Sequence, residues 1–156
     1  MSKLYVNEIA PKTAGGTVTI TNQAETARVA FRAQKTNGDV SATNTVLFND
    51  IGVNEGTCYS SSTGKFVAPS DGNYFFGFTG RHQGAVRVQV AIKKNDATVM
   101  QMRSTSTNGT MGNMNLAGTG VITLSAGDDV KCVVTGGGPL GGGTDGEGAV
   151  FTGFKL

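Results

Sequence analysis

Apolar and polar residues alternate along most of this 156-residue chain. The clearest case is Ala85–Lys93. Val86, Val88, Val90 and Ile92 share one parity there, and Arg87, Gln89, Ala91 and Lys93 the other. Strand side chains point to opposite faces with period two, so the segment predicts a half-buried strand. Lys94-Asn95-Asp96-Ala97 then has hairpin-turn chemistry, and a partner strand is expected over Thr98–Ser104. Further strands are expected over Val29–Ala33, Thr45–Phe48, Lys65–Val67, Asn73–Thr79, Met114–Leu124, Val130–Val134 and Ala149–Leu156. Only Gln23–Gln34 has helical spacing, and its second half from Arg28 reads equally well as a strand. Short strands with no intervening helices predict an all-β, double-layered antiparallel sandwich.

The aromatic residues sharpen this frame. Phe48, Asn54, Tyr59, Phe66 and Gly72 lead into Tyr74, Phe76 and Phe78 at alternate positions. The last three share one face of a strand and are expected to fill the core. Phe75, between them, must face the other way.

Two segments differ from the body. Residues 1–25 place Leu4, Val6 and Ile9 before Gly15-Gly16, then Val18 and Ile20. So small a set cannot make a core of its own, which predicts an arm that docks on something else. Gly136–Gly148 is dominated by glycine and reads as a surface loop between the last two strands, or as a tip that touches a ligand or neighbour. The expected division is an arm at 1–25 and a single domain at 26–156.

Composition narrows the function classes. Charged residues make up only 15 % of the chain and glycines number 24, which suits a turn-rich β protein rather than a disordered one. The net charge is +2 and the basic residues are scattered, unlike the clustered stripe of a nucleic-acid face. No apolar run approaches a membrane span, and the opening Met-Ser-Lys-Leu-Tyr-Val-Asn-Glu lacks the apolar core of a secretion signal. Synthesis in the cytosol is therefore expected, with Cys58 and Cys132 unpaired and Cys132 a small core residue.

No catalytic set emerges. The one histidine, His82, is expected in a loop after the aromatic strand, as a polar surface residue. Asp128 and Asp129 fall far short of the six to eight oxygens of a calcium site, and Gly127-Asp128 favours a tight corner. The reading is of a non-enzyme without a cofactor or metal.

The series Phe48, Asn54, Tyr59, Phe66, Gly72, Tyr74, Phe76, Phe78 resembles the signature of the complement C1q globular-head family. Leu124–Val130 and the closing Phe151-Thr-Gly153-Phe154-Lys-Leu156 are similar to that family's last turn and strand. The resemblance spans about residues 27–156. It implies a jelly-roll sandwich shared with tumour-necrosis-factor-like ligands, assembly as a homotrimer, and binding rather than catalysis. A patch made by Phe75 beside Phe151 on the last strand is the expected trimer interface. Exposed loops at Arg81, His82, Gln83, Gly138, Pro139, Leu140 and Asp145 are the expected binding surface.

Lys3–Ile20 in turn resembles the opening of tailed-phage virion proteins. That implies a virion structural protein, made in the host cytoplasm, with Leu4, Val6, Ile9, Val18 and Ile20 as its anchor. Its partners would be capsid or tail proteins and a host surface glycan or protein, with no nucleic acid and no membrane insertion. It would act as a capsid decoration, head fibre or short tail fibre. The alternative is a cellular, secreted ligand or adhesin of the same C1q-like family.

Overall fold

The alternating segments form ten strands in a computed structural model that describes residues 28–82, 87–104, 114–141 and 148–156. They are β1 (Ala30–Gln34), β2 (Asp50–Glu55), β3 (Tyr59–Ser60), β4 (Lys65–Val67), β5 (Gly72–His82), β6 (Val88–Lys94), β7 (Ala97–Ser104), β8 (Met114–Leu124), β9 (Asp129–Gly137) and β10 (Val150–Lys155). No helix is present among the described residues. Two antiparallel five-stranded sheets result, ordered β2-β1-β10-β5-β8 and β3-β4-β9-β6-β7. From β4 onward the chain crosses repeatedly between the sheets, as in a jelly roll.

The two inner faces share one aromatic core. Tyr74, Phe76 and Phe78 are fully buried, as their parity predicts. Phe66 from the opposite sheet meets Tyr74 and Phe76 edge-on, with ring centroids 5.5 and 5.3 Å away. Phe31 stacks on Tyr59 at 5.0 Å and meets Phe151 edge-on at 4.9 Å. Each such pair adds about 0.5–1.5 kcal/mol beyond its area burial. Gly153 makes this density possible, since a Cβ there would sit 2.7 Å from both Phe31 and Phe76.

The other motif residues shape the frame. The Asn54 side chain donates to the Tyr59 carbonyl at 2.9 Å and accepts from the Tyr59 amide at 3.0 Å. It thereby closes the turn between β2 and β3. Gly72 admits the Lys155 side chain, whose Cε would lie 2.7 Å from an added Cβ.

The expected hairpin at Lys94–Ala97 is present. Asn95 and Asp96 both take positive φ, 45° and 67°, which matches the right-handed strand twist. Asn95 Nδ2 donates to Asp128 at 2.6 Å, and its Oδ1 accepts from the Asp129 amide at 2.9 Å. Asp128 also accepts from the Ser125 amide at 2.8 Å, which confirms its role at the corner. One end of the sandwich is thus tied by side chains.

Three expectations about strands change. Thr45–Phe48 is no strand: Thr45 makes an isolated bridge to Val133, and the Val46 amide bonds the Cys132 carbonyl at 2.9 Å. Strands β2 and β3 were not anticipated. Within the glycine-rich segment, Gly136 and Gly137 extend β9 instead of beginning a loop.

Candidate functional site

The outward parity of the β2-β1-β10-β5-β8 sheet builds an apolar centre. Phe75 on β5 lies opposite Phe154 on β10 and Val121 on β8. The Phe75 and Phe154 rings stack with centroids 5.1 Å apart and planes 29° apart. Phe154 is 43 % exposed and Val121 59 %. Towards one edge, exposed Arg32 pairs with Val53, which is 41 % exposed. Polar groups surround the centre: Asn73 bonded to Thr123 at 2.8 Å, and Thr152 bonded to the Phe31 carbonyl at 2.9 Å. An apolar core with a polar surround is the anatomy of a protein interface.

Phe151 does not belong to this face. It pairs with Phe78, an inward position, and is fully buried against Phe31, Phe48, Tyr59 and Phe76. Phe154, three residues on, has the opposite parity and takes the place beside Phe75 that the sequence reading assigned to Phe151. An apolar patch does lie on this face, but it is made with Phe154 and not with Phe151.

At the far end of β5 the expected loop residues divide. His82 lies in β5, opposite Met114, and is fully buried rather than on the surface. Among the described residues neither of its ring nitrogens has a hydrogen-bond partner. Leu140 is also fully buried, because backbone bonds of 2.9 Å in both directions pin it to Val40. Neither can contact a ligand from where it lies. Pro139 is exposed, while Gly138 is half-buried with its amide bonded to the Arg87 carbonyl at 3.0 Å. Arg81 is half-buried on β5, and its carbonyl accepts from Gly141 at 2.9 Å. Gln83 and Asp145 lie outside the described residues, as do Leu4, Val6, Ile9, Val18 and Ile20.

Among the described residues, three ion pairs tie strands and turns together. Asp128 binds Lys94 at 2.9 Å, and this ammonium, with Asn95 and the Ser125 amide, holds its carboxyl at about 2, below the usual 3.8. Lys65 pairs with Asp129 at 3.1 Å, and Lys131 with Asp96 at 2.7 Å. Cys58 and Cys132 are free and buried, and burial pushes both thiols up, away from the reactive thiolate. Among the described residues no group of three or more His, Cys, Asp or Glu is placed to hold a metal.

Comparison with known proteins agrees with this frame. The zebrafish complement 1qA globular domain superposes with a TM-score of 0.69 at 22 % identity, covering 82 % of this chain and 97 % of that one. Murine APRIL gives 0.63 at 12 % identity, covering 83 % and 99 %. The Eiger TNF of S. frugiperda gives 0.61 at 13 %, covering 83 % and 93 %. Mouse complement C1q tumor necrosis factor-related protein 3 is 30 % identical over 104 residues, 66 % of this chain. The matched stretch is 42 % of the mouse protein's length. The C1q domain model matches residues 30–156, and with the signature aromatics at their buried stations the chain belongs to the C1q domain family.

Proposed function

We propose that the protein is a non-enzymatic binding knob that assembles as a homotrimer through the outer face of the β2-β1-β10-β5-β8 sheet. Exposed Phe154, stacked on half-buried Phe75 with exposed Val121 beside it, carries this reading. A second copy would cover an apolar centre that water leaves unfavourably exposed. The threefold grouping rests on the family to which the chain belongs. Three copies give three weak contacts to one surface, and multivalency raises avidity without new chemistry.

The knob's setting follows from residues 1–25. Their likeness to the opening of phage virion proteins supports a role as a capsid decoration, head fibre or short tail fibre. In that role the arm holds the particle and the loop end faces the host. Mass spectrometry of purified virions tests the setting, and the protein's absence from them refutes it. Removing residues 1–25 is expected to leave a folded knob that no longer joins the particle. The similarity to the mouse C1q tumor necrosis factor-related protein favours a second reading, an exported ligand or adhesin. Recovery of the protein in culture medium, without particles, selects that reading.

A further inference from the structure

Between β1 and the Val40–Leu140 bridge, the chain bends through Lys35, Thr36, Asn37, Gly38 and Asp39. Asn37 and Gly38 are exposed, Gly38 takes a φ of +56°, and nothing lies within 4 Å of where a Cβ would stand. Among the described residues no hydrogen bond holds the Gly38 amide. Lys35, by contrast, is buried, and its ammonium donates to both carbonyl oxygens of Asn37. One is the side-chain Oδ1, at 2.8 Å. The other is the main-chain oxygen of the Asn37–Gly38 peptide.

We propose that Asn37-Gly38 is a self-modifying site, at which the Lys35 ammonium promotes cyclisation and deamidation of Asn37. The Gly38 nitrogen attacks Asn37 Cγ and passes its proton to solvent. The N–Cγ bond forms, the Cγ–Nδ2 bond breaks, and ammonia leaves with a solvent proton. Water then opens the succinimide at either carbonyl, leaving aspartate or isoaspartate at 37. No electrons are transferred, and water is the only co-reactant.

Lys35 assists at two points. Its bond to the main-chain oxygen withdraws electrons from the same peptide group and acidifies the Gly38 N–H. Its bond to Oδ1 stabilises the oxyanion that forms on attack, as preorganised donors do in enzymes. Desolvation lowers the Lys35 pKa, against a raising effect from Asp39, and so strengthens the ammonium as a proton donor. The product carboxylate faces the same ammonium. Isoaspartate inserts an extra main-chain carbon just before the bridge that pins Leu140, so modification would loosen the loop end of the knob with age.

The chain contains its own control. Thr36-Asn37-Gly38 and Thr107-Asn108-Gly109 are the same tripeptide. Whole protein is incubated at mildly alkaline pH, and peptide mass spectrometry follows the amide-to-acid mass change at each site. Lys35→Met keeps the aliphatic stem but removes the charge. It is expected to slow conversion at 37 by about tenfold while leaving the rate at 108 unchanged. In denaturant, where Lys35 is no longer held, the wild-type rates at the two sites are expected to match. A folded Lys35→Met protein, checked by thermal melting, that converts at 37 as fast as wild type overturns the proposal. So does a folded wild type that converts at 37 more slowly than it does in denaturant.

Discussion

Replacing Phe154 by Ala is expected to dissolve the proposed trimer without unfolding the protomer. A large aromatic residue offers roughly 150–250 Å² for burial. The 43 % of Phe154 left open is then about 65–110 Å². At about 25 cal/mol per Å², covering it contributes about 1.6–2.7 kcal/mol per protomer. Over three protomers the loss is about 5–8 kcal/mol, or roughly four to six powers of ten in the association constant. Protomer stability should also fall, but by less than at a fully buried aromatic position, since Phe154 is only partly covered within the protomer, where it stacks on Phe75. Sedimentation velocity across a concentration series reads the first effect, and denaturant unfolding of the dissociated protein reads the second. A Phe154→Ala protein that sediments like wild type at every concentration refutes the assignment of this face.

Phe151→Ala should behave in the opposite way, costing about 3–5 kcal/mol of protomer stability in denaturant melts, because the ring sits among four core aromatics. At Gly137, φ is +87° and an added Cβ would stand 1.4 Å from the Arg87 carbonyl oxygen, so Gly137→Ala should cost more than about 3 kcal/mol or yield no folded protein. His82→Leu removes two buried nitrogens that have no partner among the described residues, and should leave stability unchanged or raise it by about 1–3 kcal/mol in the same melts. Asp128 titrates lower when folded, at about 2, than its usual 3.8, so its stabilising effect is complete above about 4 and is lost as pH falls through about 2. Asp128→Asn should flatten that acid limb of the stability–pH curve; an unchanged limb contradicts the assigned role of Lys94.

The frame was legible in the sequence wherever side chains repeat with a strand's period. Tyr74, Phe76 and Phe78 show which face of β5 is inside, and Asn95-Asp96 marks the hairpin because few other residues tolerate positive φ. The face proposed as the interface was only half legible. Phe151 and Phe154 lie three apart on one strand, so just one can face outward. Which one does so depends on the register of β10 against β5, a contact between segments far apart in sequence. Strand β2 escaped notice because Asp50–Glu55 is an exposed edge strand with charged ends and a glycine, and so carries little apolar alternation. Leu140 was misplaced because its glycine neighbours suggest a solvated loop; its apolar side chain in that polar run was the only available signal. His82 gave no sign of burial, since the length of β5 is set by its eleven paired residues with β8.

A cryo-microscopy structure of the purified assembly tests the central claim most directly. Three copies are expected, with Phe75, Phe154 and Val121 of each lying in the contacts around the threefold axis and Phe151 inside each protomer. Copies joined through the β3-β4-β9-β6-β7 sheet, or a particle no heavier than the 16.0 kDa chain, would contradict it.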